Sequence, residues 1–102
     1  MLELRPNCEL CDKDLPPDAQ DARICTYECT FCAACAEEVL HDVCPNCGGN
    51  FVPRPIRPRA AWRPGSGLEY DPPTTSRRRM ARSDDEIAEF VERIRQIAPS
   101  QR

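Results

Sequence analysis

A chain of 102 residues, 30% charged and only 6% aromatic, has room for one small domain with appendages, and eight of its residues are cysteine. Its net charge of −3 conceals a polarity: residues 1–50 hold three basic against ten acidic side chains (−7), residues 51–82 eight against two (+6), and residues 83–102 three against five (−2). No run approaches the ~20 apolar residues of a membrane span, and neither a Gly-rich phosphate loop nor a Ser/His/Asp grouping for nucleophilic catalysis is apparent.

The opening "MLELRPNCEL" has no basic n-region and no apolar h-region, so it does not read as a secretory signal. A cytoplasmic, reducing setting is therefore expected, where clustered cysteines read as metal ligands rather than disulfides. All eight lie between Cys8 and Cys47, which points to a folded head over residues 1–53. Its apolar stock is thin: besides Leu10, Leu15 and Ile24 there are Tyr27, Phe31, Val39, Leu40, Val43, Phe51 and Val52. Units of ~50 residues are rarely stable on such a core alone, so the cysteines must contribute to folding.

Their spacing is C-x2-C-x13-C-x3-C-x2-C-x2-C-x8-C-x2-C. A C-x2-C turn presents two sulfurs to one ion without strain, and eight thiols fill two tetrahedral zinc sites with none left over. Two zinc ions held by eight thiolates would add −4 to an already acidic head. Only Thr30 and Phe31 separate the Cys25–Cys29 pair from the Cys32–Cys35 pair, too tight a loop to wrap both around one ion. Two topologies survive. In the sequential one Cys8, Cys11, Cys25 and Cys29 share an ion; in the interleaved one Cys8 and Cys11 join Cys32 and Cys35, and Cys25 and Cys29 join Cys44 and Cys47. His41, the only histidine, is expected on the surface.

The segment "CTFCAACAEEVL" followed by "CPNC" resembles an all-cysteine RING finger, with Phe31 before the fifth ligand, a short helix after the sixth and Pro45 after the seventh. The resemblance covers Cys8 to Cys47. It implies a cross-braced two-zinc fold with little regular secondary structure, zinc site one on Cys8, Cys11, Cys32 and Cys35 and zinc site two on Cys25, Cys29, Cys44 and Cys47. It further implies one short helix over Cys35–His41 with Val39 and Leu40 turned inward, and a partner surface at Leu10, near Val39 and at Pro45. Many members of that family are ubiquitin ligases with a basic residue after the last ligand; Gly48 stands there in this chain. The whole head, from "MLELRPNCELC" to "PRPIRP", also resembles a short bacterial cysteine-rich family of unknown function, a likeness that implies no activity.

Residues 54–82 carry prolines alternating with Arg54, Arg57, Arg59 and Arg63 around Trp62, then a second cluster at Arg77–Arg79 and Arg82. Proline fixes φ and removes backbone donors, so a flexible or polyproline-like arm is expected. Its first four arginines are candidate anion ligands, with nucleic acid as a conceivable partner.

Residues 83–102 form the third part. Ser83 and Glu86 suit a capping box, and Ile87, Phe90, Val91, Ile94 and Ile97 fall on one stripe, which predicts an amphipathic helix over residues 84–98. A helix of ~15 residues is marginal alone, so Ile87, Phe90, Val91 and Ile94 must dock on their own head, on a second copy or on another protein. The function expected from these features is that of a non-catalytic, structural-zinc protein-interaction module, an adaptor or regulator. The alternatives are a zinc protein binding nucleic acid through the arm, a RING-type ubiquitin-ligase-like enzyme, and a redox or zinc-buffering protein.

Overall fold

A computed structural model describes all residues, Met1–Arg102. Three short strands, β1 (Ala22–Ile24), β2 (Thr30–Cys32) and β3 (Val52–Pro53), make an antiparallel sheet in the order β2-β1-β3. Ala22 pairs with Cys32 and Ile24 with Thr30, while Ile24 faces Val52 on the other edge of β1. Regular structure is otherwise sparse. Burial concentrates beneath this sheet, where Leu15, Phe31, Leu40, Val43 and Phe51 interleave with cysteines. The Phe31 and Phe51 rings meet edge to face at 5.4 Å, a favourable geometry for aromatic quadrupoles.

β2 runs directly into a helical turn over Cys35–Val39 of the wide, π type, in which the Leu40 N–H donates to the Cys35 carbonyl at 2.8 Å. His41 and Asp42 then adopt positive φ (46° and 62°) and end the turn. The wider turn shifts the phase of its last residues. Leu40 is completely buried, but Val39 is 51% exposed, which corrects the expectation that both point inward.

A single helix, α1, spans Asp84–Ile94. Ser83 caps it by accepting the Glu86 N–H at 3.2 Å, while the Glu86 carboxylate turns away to Arg82 at 3.2 Å, so only half of the expected capping box is made. The helix ends four residues earlier than the stripe suggested. Arg95 donates to the Val91 carbonyl, Ile97 already makes a tighter bond to Ile94, and Ala98, which precedes Pro99, is extended at ψ 140°. Proline disfavours helical backbone at the residue before it, and that restriction cuts the last turn. Ile97 accordingly lies off the packed face and is exposed.

The apolar stripe docks on the chain's own head. Ile87 and Val91 are each 3% exposed within the central core cluster, with Phe90 and Ile94 packed against it. Gly48, at φ +80°, lies beneath α1, where an added Cβ would stand 3.6 Å from the Phe90 ring. These four residues are therefore turned toward the head, Ile87 and Val91 fully and Phe90 and Ile94 in part.

Residues 54–82 hold no helix or strand, yet they run along the head through specific contacts. The Arg54 N–H continues the β3 ladder to the Ala22 carbonyl (2.9 Å), Thr74 N–H reaches the Leu4 carbonyl (3.1 Å), and Met80 N–H the Glu9 carbonyl (2.8 Å). Asn7 holds Arg78 on both sides, donating from Nδ2 to its carbonyl (2.8 Å) and accepting its N–H (3.2 Å). No helix of the protein is long and apolar enough to cross a membrane.

Candidate metal centre

Each C-x-x-C pair, and the longer Cys25–Cys29 pair, sits on a tight local turn. In the first, Cys8 N–H donates to the Lys13 carbonyl (2.8 Å) and Asp12 N–H returns to the Cys8 carbonyl (2.9 Å), with Asp12 at φ 67°. The second pair occupies the turn of the β1–β2 hairpin: Cys25 N–H donates to the Cys29 carbonyl (3.3 Å) and Glu28 takes φ 68°. In the third, Cys32 ends β2 and Cys35 opens the π turn. In the fourth, Gly48 N–H donates to the Cys44 carbonyl and Cys44 N–H to that of Gly49, both at 2.7 Å. Gly48 suits that turn because its φ of +80° is one that side chains with a Cβ rarely adopt.

The hairpin is what sorts the pairs. Reversing the chain at residues 25–29 carries Cys25 and Cys29 to one end of the strands and leaves Cys32 at the other, across from Ala22. The Sγ atoms of Cys8, Cys11, Cys32 and Cys35 consequently lie within 4.8 Å of one another, as do those of Cys25, Cys44 and Cys47. Cys29 falls outside that second 4.8 Å group but is buried, and the Asn46 Nδ2, beside Cys44 and Cys47 in the chain, reaches its sulfur at 3.5 Å. Both groups could hold a metal ion. All eight cysteines are free thiols, six of them buried, with Cys11 and Cys47 at the surface.

Backbone and side-chain donors point at these sulfurs: Tyr27 N–H to Cys25 (3.3 Å), Gly49 N–H to Cys47 (3.4 Å) and Asn46 Nδ2 to Cys29 (3.5 Å). Such bonds favour the thiolate that a metal requires. Burial pushes the Cys25 thiol up to about 11 and raises Cys8 and Cys35 as well. Cys29 moves the other way, held at about 5 chiefly by the neighbouring Cys44 thiol, and the same proximity pushes Cys44 up.

A buried polar link between the two clusters had no signal in the sequence. Glu9, next to Cys8, accepts the Thr30 N–H at 2.6 Å and the Arg5 Nη1 at 3.0 Å, and its own N–H donates to the Thr30 carbonyl at 2.9 Å. The Arg5–Glu9 pair is almost entirely excluded from solvent, and Glu3 completes the Arg5 fork at 2.8 Å. This network stitches the first cysteine turn to β2. An Arg-Pro-Asn-Cys-Glu run shows i,i+4 charges and nothing more, so the link emerges only from the fold.

The remaining candidates scatter. Leu10 is partly buried against the core, Pro45 is buried, and Val39 is exposed. Arg54 is 4% exposed, and its guanidinium donates to the carbonyls of Arg5 (2.8 Å), Leu15 (3.2 Å) and Pro16 (2.8 Å). Arg57 bridges the Leu2 and Asp71 carbonyls at 2.7 Å each. Both are committed to the protein's own backbone, which leaves Arg59 and Arg63 as the exposed members of the expected anion-binding set. His41 is exposed and belongs to neither cysteine group.

The chain belongs to the family described as Protein of unknown function (DUF1272), whose model matches residues 1–57. It is 60% identical over 77 residues to Uncharacterized protein R02474 of Rhizobium meliloti (strain 1021), a match that covers 76% of this chain and 84% of that one. No solved structure matches it.

Proposed function

We propose that this member of the DUF1272 family is a structural zinc protein of a reducing, cytoplasmic compartment. In this reading two ions, on Cys8, Cys11, Cys32 and Cys35 and on Cys25, Cys29, Cys44 and Cys47, cross-brace a RING-like head that serves as a non-catalytic protein-interaction module. The observation that carries the reading is the interleaved grouping, first pair with third and Cys25 with the fourth pair. The donor set fits zinc: a tetrahedron with Zn–S bonds of ~2.3 Å has sulfur–sulfur edges of ~3.8 Å. The Cys11 and Cys32 sulfurs stand 3.8 Å apart. All-thiol groups select zinc or another thiophilic metal over magnesium or calcium.

When bound, each ion supplies positive charge that stabilises four thiolates and closes long loops, here Cys11 to Cys32 and Cys29 to Cys44. The protein's own residues hold the sulfurs in place through the turns and N–H···S bonds described above. Four thiolates per ion leave no open coordination position, which argues for a staple rather than a catalytic metal. α1 lies against the side of the head that carries Gly48, so a protein partner is expected at the apolar side chains the head leaves exposed, Tyr27, Val39 and Val52.

The test is metal count and connectivity. Substitution with cadmium-113 and through-bond correlation to the cysteine β-protons is expected to give two signals, one coupled to Cys8, Cys11, Cys32 and Cys35 and the other to the remaining four. A signal shared by Cys8, Cys11, Cys25 and Cys29, or fewer than two metals per chain, would overturn the reading.

A further inference from the structure

Within the arm, the chain from Pro58 to Leu68 closes on itself. Leu68 N–H donates to the Pro58 carbonyl at 2.9 Å, and the Ser66 hydroxyl donates to the Arg63 carbonyl at 2.6 Å. Gly67 is buried at φ +88°, and a Cβ there would stand 2.8 Å from the Ala60 carbonyl oxygen, so only glycine permits this closure. The base of the loop is tied to the head by the bond of Arg57 to the Leu2 carbonyl and to the returning arm by its bond to that of Asp71. Beyond that base, every residue from Pro58 to Gly65 is exposed.

What this tip displays differs from the rest of the arm. Arg54, Arg57, Arg77, Arg78, Arg79 and Arg82 each bond or pair with the protein itself. The Arg59 and Arg63 guanidinium groups do neither. Between them Trp62 is 81% exposed. The protein's one cation–π contact joins Arg93 to Phe90, so neither neighbouring arginine covers the indole.

We infer that the loop over residues 58–68 is a binding site for single-stranded nucleic acid, in which Trp62 stacks on an unpaired base and Arg59 and Arg63 take the flanking phosphates. Stacking on an exposed aromatic needs a base whose face is free, which a duplex does not offer, and planar guanidinium groups match phosphate oxygens. An extended or helical peptide needs a sheet edge or a groove, and an exposed loop tip provides neither. Insertion into a lipid surface draws on several large apolar side chains, and the tip has Trp62 alone. The −7 charge of residues 1–50 repels a polyanion from the rest of the surface, so contact is confined to the tip and covers only a few nucleotides. This site is independent of the metal reading.

Trp62 is the only tryptophan, so intrinsic fluorescence reports on it directly. The full-length, metal-loaded protein is titrated at low ionic strength with a short oligo-uridine or oligo-thymidine strand. Quenching is expected, with a plot of log K against log salt of slope about −1.4 for two phosphate contacts on a single strand. Arg59→Gln or Arg63→Gln should each halve that slope, and Trp62→Ala, followed by anisotropy of a labelled strand, should weaken binding about tenfold or more. Gly67→Ala, which distorts the loop without removing a contact residue, should weaken it too. Absence of quenching, a flat salt dependence, or full affinity in Gly67→Ala would overturn the inference. So would a blue shift with phosphatidylserine vesicles, or binding of poly-glutamate, in place of any response to the strand. Metal content measured on the same samples separates a failure of this site from a failure of the zinc reading.

Discussion

The head and the C-terminal half of this chain are ordered by different means. In residues 1–53 six cysteines are among the buried residues, and four tight turns aim sulfurs at two points. In residues 54–102 there is not one cysteine. There, order comes from two apolar side chains of α1 placed in the head's core and from arginine and amide groups that find backbone carbonyls of the head. In the reading proposed above the first means is nearly all-or-none, because an ion with a ligand missing would no longer close its loop. The second is a sum of separable contacts. Removing a piece of each half should therefore give failures of different kinds.

The largest effect is expected where the sulfurs converge. Cys44 is completely buried and its sulfur lies in one group with those of Cys25 and Cys47. Structural zinc contributes about 10–16 kcal/mol of apparent binding free energy in small domains, as much as or more than the whole stability of an ordinary fold. Cys44→Ala should lose a metal and with it the dispersed amide spectrum of the head, and a strong chelator should do the same to the unmodified protein. A Cys44→Ala chain that kept both would erase the contrast between the halves. Next in size is Ile87→Ala in α1, expected to cost about 2–5 kcal/mol by opening a cavity under the helix. Urea unfolding and metal analysis together check it: stability should fall while two metals per chain remain.

The two halves also differed in what their sequence disclosed. Cysteine spacing is a local signal with a known chemistry, so the pairs could be read directly. The RING resemblance implied the interleaved sorting of the pairs, but the residues alone left two topologies open. The hairpin that sorts them has strands of three residues each, too short to show a period of two. The α1 stripe and its Ser83 cap were visible, but the reach of Pro99 back to Ala98 shortened the helix beyond what the apolar spacing suggests. The π turn misled in a similar way, since Val39 and Leu40 can share a face only if the turn keeps α spacing. The arm was least legible. Its order rests on guanidinium groups meeting carbonyls of residues about 40 to 55 positions away, and carbonyls leave no trace in a sequence.

Arg54 sharpens that point. It is a buried cation with no carboxylate partner, its pKa lowered by desolvation, and it is retained by three carbonyls while its Nε finds no partner. Arg54→Met keeps most of the packing volume but leaves the carbonyls of Arg5 and Leu15 without donors, while that of Pro16 keeps the Ala19 N–H (2.9 Å). Each unsatisfied buried carbonyl costs about 1–3 kcal/mol, so a lowered thermal midpoint with intact metal content is expected. An unchanged or raised midpoint would mean that burying the charge costs as much as its hydrogen bonds return.

The smallest effect is the most discriminating. Arg77 forks over the first cysteine turn, with Nε and Nη2 on Asp12 Oδ1 (3.1 and 2.9 Å), Nη2 also on the Asp12 carbonyl (2.7 Å) and Nη1 on Asp14 (2.6 Å), all at the surface. Exposed ion pairs contribute little to global stability because water and salt screen them. Arg77→Gln should therefore leave the metal content and the thermal midpoint where they were. Amide exchange should rise only nearby, at Arg78 and Met80, whose N–H groups reach Asn7 and Glu9. Raising the salt concentration on the unmodified protein should reproduce part of that local change. A drop of several degrees in the midpoint, with exchange rising at the Cys8 and Asp12 amides as well, would show that the arm is folded cooperatively with the first cysteine turn. The two halves would then be one unit, ordered jointly by sulfur and by arginine.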